Sequence, residues 1–307
     1  MTMLKNSSKP LTFLIMLGAI WSLGFSIARY CTTNGVHPLG YAFWQSLGPA
    51  VLLTILCKCL RIPIFNHRSY FVFYLFASLV GIAIPNANMY FAASQLPSGI
   101  LAVIINVSPI MTYLLALAFK EESFNTRRFI GVICAVLGII IMIKPSGDIT
   151  PAMIPWLLSA LLTPISFALC AVFVAKYRPA NSHSLGLAAG MLWGSTLWLL
   201  PVVFWGHHFY TLNHGFSRTE QLLLAEVLLS SAGYWLFFQL LKNAGPVYYS
   251  LVGGIVSIAG LLWGNLLFGE ILTSMQMMGV AGIVLGIVLV CLKGQAKGTA
   301  PTQNQCE

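Results

Sequence analysis

Apolar residues run through this chain in long blocks, separated by short clusters of charge, glycine and proline. A helix that crosses a bilayer needs about 20 largely apolar residues. Ten blocks approach that length: 11–32, 38–57, 69–92, 98–119, 127–144, 153–175, 184–205, 220–241, 247–268 and 275–292. The pattern therefore predicts an all-α membrane protein of ten transmembrane helices. Two blocks are less regular: 153–175 contains Pro155 and Pro164, and 184–205 is rich in glycine and tryptophan. Links such as Gln95-Leu96-Pro97-Ser98 and Asn243-Ala244-Gly245-Pro246 are so short that consecutive helices must be antiparallel neighbours.

Composition supports this reading. Of 307 residues, 58% are hydrophobic and 7% charged, against about 25% charged in a soluble domain. Mean hydropathy is +0.85. Too few ionic groups remain to cover a soluble surface, which excludes a soluble enzyme, a nucleic-acid module and a disordered scaffold. The net charge of +9 is spread between the blocks, so it reports orientation instead of nucleic-acid binding. With the N-terminus in the cytoplasm, thirteen basic residues fall inside (Lys5, Lys9, Lys58, Arg61, Arg68, Lys120, Arg127, Arg128, Lys176, Arg178, Lys242, Lys293, Lys297) and three outside (Arg29, Lys144, Arg218). That bias predicts cytoplasmic N- and C-termini. The first block is too long for a signal-peptide core and lacks a small-residue cleavage site, so it reads as a retained helix. The seven cysteines show no metal or redox spacing and read as small apolar residues.

The chain also repeats itself. Residues 97–143 open on Pro97, run apolar to Phe119-Lys120-Glu121, then carry Gly131 and Gly138; residues 246–291 open on Pro246, run to Phe268-Gly269-Glu270, then carry Gly279 and Gly286. The first three pairs are 149 positions apart and the glycines 148. Each copy closes a set of five helices, so the second enters the membrane from the opposite side. The expected units are 1–147 (helices one to five), 148–294 (helices six to ten) and a tail, 295–307. Inverted repeats are a common secondary-transporter architecture.

Ten helices in a 5+5 arrangement, with a proline-led helix ending in an apolar-x-Glu motif in each half, resemble the drug/metabolite transporter superfamily, EamA type. The resemblance covers essentially the whole chain; the first copy departs from the commoner Gly-Glu by reading Lys120-Glu121-Glu122. It implies export of amino acids, aromatic ones included, or other small metabolites, or solute import. It also implies a central cavity lined by helices one, three, four, six, eight and nine.

Glu226 is the one acidic residue well inside an apolar block. A carboxylate at that depth is costly and marks a functional site unless it reaches the interface. Ser230, Gly233 and Phe237 share its face at i+4, i+7 and i+11. Glu226 would take up a proton or meet a substrate amine. Arg29, with Ser22 and Phe25 on its own face, is the natural ionic partner or substrate-carboxylate ligand, or else snorkels to the headgroups. Asn86 and Tyr90 share one face, and Asn106, Pro109 and Tyr113 another; these amides near prolines either line a cavity or bond between helices. Asn88 points away from Asn86. Ser159, Thr163, Ser166 and Cys170 form a small polar face that suits cavity lining or close packing. Trp21, Tyr234 and Trp263 would give the cavity an aromatic wall, with cation–π contact available to an amine.

Absent motifs narrow the class. The chain has no phosphate-binding Gly-x-x-x-x-Gly-Lys-Ser/Thr loop, no intramembrane aspartate and no zinc-protease His-Glu-x-x-His. No catalytic residue, metal or cofactor is expected. A membrane-embedded transferase would need clustered acids at a membrane face, and the inner loops offer only Glu121 and Glu122. The expectation is a monomeric secondary active transporter in a bacterial inner membrane, exporting amino acids or related metabolites by alternating access, with import of a metabolite or drug-like cation as the alternative.

Overall fold

A computed structural model describes residues 8–65, 68–93, 107–142, 151, 154–212, 215–268 and 274–291. The side chains of Phe25, Arg29, Tyr90 and Trp263, and all of Asn106, lie outside the described residues. All regular structure among those described is helical: α1 (Ser8–Thr33), α2 (Pro38–Cys59), α3 (Arg68–Ser78), a π-helical turn (Leu79–Ala83), α4 (Ile84–Ala93), α5 (Ser108–Ala118), α6 (Thr126–Met142), α7 (Ile154–Ala160), α8 (Leu162–Tyr177), α9 (Ser184–Trp205), α10 (Arg218–Ser250), α11 (Val252–Phe268) and α12 (Ser274–Cys291). Helix falls on each expected apolar block. Among the described residues, six stretches are long and apolar enough to cross a membrane: Lys9–Thr33, Pro38–Cys59, Tyr70–Met89, Ile154–Tyr177, Ser184–Trp205 and Arg218–Ser250.

Proline explains where the helices depart from simple rods. Pro85 has no N–H for the carbonyl one turn back. Just upstream the helix widens to π geometry, and the Ile84 N–H closes the turn on Leu79 O. The block 153–175 is two helices. Pro164 interrupts the hydrogen-bond ladder at Ala160, and Leu161 joins α7 to α8 with its backbone still helical. In α10 the helix bends at Gly245, with φ +82°, just before Pro246. This bend is the short link expected between helices eight and nine.

Glycine sets how closely helices approach. Along α6 and α12, a Cβ on Gly138 would lie 2.6 Å from Gly279 O, and one on Gly131 would lie 3.0 Å from Gly286 O. These helices therefore touch backbone to backbone, antiparallel. α2 and α9 also pack antiparallel. Gly40, opening α2, abuts His208 O beyond α9, and Gly186, opening α9, abuts Pro63 O beyond α2. Both helices begin after a histidine whose ring accepts a backbone N–H, His37 from Leu39 and His183 from Leu185. Both end with a left-handed residue, Arg61 and His207, each at φ +54°. Midway, the hydroxyls of Ser46 and Ser195 meet at 2.9 Å.

Candidate functional site

Glu226 lies two turns into α10 and is 3% exposed. The start of α10 is held by a reciprocal cap: Ser217 Oγ accepts from Glu220 N, and Glu220 Oε2 accepts from Ser217 N. Such a box stabilises a helix end by roughly 1 kcal/mol. Two glycines let neighbouring helices close over the acid. A Cβ on Gly24 of α1 would lie 3.2 Å from Glu226 Oε2, and one on Gly48 of α2 would strike Val227.

Two donors meet at one carboxylate oxygen. Gln45 Nε2, from α2, donates to Glu226 Oε1 at 2.9 Å. Ser230 Oγ, one turn along α10, donates to the same atom at 2.7 Å. The Tyr41 hydroxyl is also close to the carboxylate and reaches Gly24 O at 3.4 Å. Glu226 Oε2 and Gln45 Oε1 are buried and accept no hydrogen bond among the described residues.

The α1–α10 register places the other expected residues. Trp21 lies beside Gly233, Gly24 beside Glu226, and Cys31 Sγ donates to Thr219 O at 3.9 Å. Arg29 is five residues beyond Gly24, so its backbone lies about 7 Å along the helix from the level of Glu226. Ser22 is buried. The Trp21 ring stacks edge-on to Tyr249 at 6.0 Å, which in turn meets Phe237 at 4.9 Å. Tyr234 is half-buried against the same apolar core.

The second polar group belongs to packing. Asn88 donates to Ser159 O at 2.9 Å and Thr163 Oγ1 at 3.0 Å, and accepts from Ser159 Oγ at 2.8 Å. Its amide is spent on tying α4 to α7 and α8. Cys170 Sγ donates to Ala77 O on α3 at 3.5 Å. Ser166, on the same face, is buried. Asn86 is half-buried.

At the end where α2 begins, the His37 and His208 rings stack at 3.6 Å, 3° from parallel. Because His37 Nδ1 accepts from Leu39 N, it must be unprotonated there. Burial, and then the facing His208, hold the His37 imidazole below its ordinary 6.5. Its contribution is therefore complete above that value and is lost as pH falls through the lowered one. Acidification is expected to speed amide exchange at residues 39–41 beyond the intrinsic rate. His37→Asn, which caps without titrating, should remove that dependence; equal acceleration in both proteins would refute the role of His37.

The EamA-like transporter family model matches residues 9–144 and again 154–292. The chain belongs to the EamA-like transporter family. It is 26% identical to Protein PecM of Dickeya dadantii over 204 residues, 66% of this chain and 67% of that protein. It is 22% identical to an uncharacterized transporter of Archaeoglobus fulgidus over 280 residues, 89% and 95% of the two chains. The uncharacterized inner membrane transporter YedA of Escherichia coli K12 is 26% identical, over 70% of each chain. A solved crystal structure superposes with a TM-score of 0.74 at 13% identity, covering 91% of this chain and 98% of that one; the likeness there is of fold.

As an EamA-like transporter, the protein is a multi-pass membrane protein that carries a small-molecule substrate. No group of three or more His, Cys, Asp or Glu among the described residues is placed to hold a metal ion. Sequence reasoning passed over Gln45, Tyr41 and His37. The signal was present for two of them. Gln45 is the lone amide of its block, and His37-Pro38-Leu39-Gly40 matches His183-Ser184-Leu185-Gly186.

Proposed function

We propose that this EamA-like transporter exports amino acids or related small metabolites across a bacterial inner membrane. It does so by alternating access between two inverted five-helix halves, with Glu226 carrying the coupling proton. The observation that carries the reading is the enclosure of Glu226. It is a titratable group, closed in by α1, α2 and α10, with one carboxylate oxygen holding two donors and the other holding none among the described residues.

The helix seams support the inverted halves. Shifting residues 131 and 138 by 148 gives 279 and 286, and this turns the Gly131–Gly286 contact into Gly279–Gly138. Shifting Gly40 and His37 by 146 gives Gly186 and His183, and the left-handed caps at Arg61 and His207 follow the same step. Contacts that map onto one another this way suit two halves exchanging conformations about an in-plane axis. The inner-membrane location draws on the printed description of the E. coli relative and on the basic bias of the inner loops. Arg29 would bind a substrate carboxylate one turn or more from Glu226, and Trp21, Phe25, Tyr90, Asn86, Asn106, Tyr234 and Trp263 would line the path.

The test is flux in proteoliposomes. Labelled amino acids, aromatic ones first, should accumulate when a pH gradient is imposed. Transport of no amino acid would overturn the substrate class, and flux blind to the gradient would overturn the proton.

A further inference from the structure

The geometry points to Gln45 as the residue that reads the protonation state of Glu226, through a cyclic acid–amide pair that closes only when the carboxyl is protonated. This rests on the reading of Glu226 as proton carrier. The half of the ring present in the structure is Gln45 Nε2 donating to Glu226 Oε1 at 2.9 Å. The other half would join the two remaining oxygens of the same two groups, Glu226 Oε2 and Gln45 Oε1. Both are buried acceptors with no donor among the described residues.

These two acceptors sit on side chains already joined by one bond, and each buried unsatisfied group is destabilising. Turning the amide over does not help, because Gln45 Oε1 would then face Glu226 Oε1, also an acceptor. A single proton on Oε2 serves both at once, since Oε2–H then donates to Gln45 Oε1. The proton comes from water on one side of the membrane and leaves to the other, so each cycle moves one charge on and off Glu226. When it leaves, Oε2 and Gln45 Oε1 repel. The helices that carry them, α10 and α2, are then driven apart where Gly48 had let them close.

The groups facing the pair set the terms of its titration. From α1 these are Gly24 and the Cys31 thiol. From α2 comes the Tyr41 hydroxyl, and from α10 Ser230. No Lys or Arg acts on Glu226 among the described residues. Ser230 bonds Oε1 whatever the charge, so it does not discriminate; Gln45 spends its donor on Oε1 and keeps a buried acceptor unfilled, so it does.

The experiment is infrared difference spectroscopy of the purified protein on acidification, with Glu226→Gln to assign the carboxyl band. The wild-type acid should absorb at the low wavenumber of a doubly hydrogen-bonded carboxyl. Gln45→Met, close in length but with no donor and only a weak thioether acceptor, should move the band up towards that of a free acid. In proteoliposomes it should lower the initial rate of gradient-driven uptake about tenfold, the scale of one such buried bond. A Glu226 band already at the free-acid position in the wild type overturns the pair without needing a variant to fold. A band that Gln45→Met leaves in place overturns the role of Gln45 and leaves Glu226 as carrier. No Glu226 band at any pH overturns the carrier itself.

Discussion

Under the proposed proton coupling, Glu226→Gln is expected to leave a transporter that only equilibrates its substrate. One pH unit is worth about 1.36 kcal/mol per proton. With one proton exchanged per substrate, a gradient of about 2 units sustains roughly a 100-fold concentration ratio. Glutamine carries no proton, so the ratio should fall to unity at any gradient. The side chain is nearly isosteric: its Oε1 can still accept from Gln45 and Ser230, and its amide can supply the donor that Gln45 Oε1 lacks. The variant should therefore fold at least as well as the parent. Glu226→Leu is the contrast, because it strands the Gln45 and Ser230 donors at about 1–3 kcal/mol each and should unfold at lower temperature. The measurement is the steady-state ratio of labelled substrate in proteoliposomes. Undiminished accumulation by Glu226→Gln would remove the carboxylate from the coupling step.

Gly138→Leu is expected to have the largest effect on stability. Inside lipid, helices are held by close packing more than by expulsion of water, so a lost backbone contact has no apolar substitute. A Cβ at 138 would lie 2.6 Å from both Gly279 O and Ile283 N and 2.9 Å from Gly282 C. All three are backbone atoms and cannot rotate aside. Overpacking by even small groups typically costs about 1–3 kcal/mol, and a leucine here must part α6 from α12. The thermal midpoint in detergent should fall by several degrees, with Gly138→Ala between leucine and wild type. Leu137→Ala, one residue away but 52% exposed on the outer surface, should leave the midpoint nearly unchanged. An unaltered midpoint for the leucine variant would mean that α6 and α12 do not meet along this line.

The glycine positions that govern that seam were legible in the sequence as matched positions of the repeat, Gly131 and Gly138 against Gly279 and Gly286. Glu226 was legible for a different reason, as a group that an apolar block should not contain. Its partner was not. Gln45 sits in a block whose hydrophobicity hides which face turns towards α10, and only the packing of Gly24 and Gly48 against Glu226 and Val227 reveals it. Asn88 could be separated from Asn86 by helical angle, yet its three bonds to Ser159 and Thr163 depend on where α7 and α8 come to lie. The π-turn ahead of Pro85 and the break at Leu161 follow from proline chemistry, but the place at which a helix yields depends on what packs beside it.

The α2–α9 pair is built to one plan at both ends and from different chemistry at each. Where α9 begins, Gly186 rests on Pro63, with Ile62 beside it; where α2 begins, Gly40 rests on His208, whose ring covers His37. Each helix starts after a histidine cap, but among the described residues only at the start of α2 does a second imidazole cover it. Membrane vesicles can therefore be sorted by which way the protein was inserted. Acidifying the bath loosens the start of α2 only in those copies whose histidine stack faces the bath, and acidifying the lumen loosens it only in the rest. The ratio of the two responses measures sidedness without a tag or an engineered label.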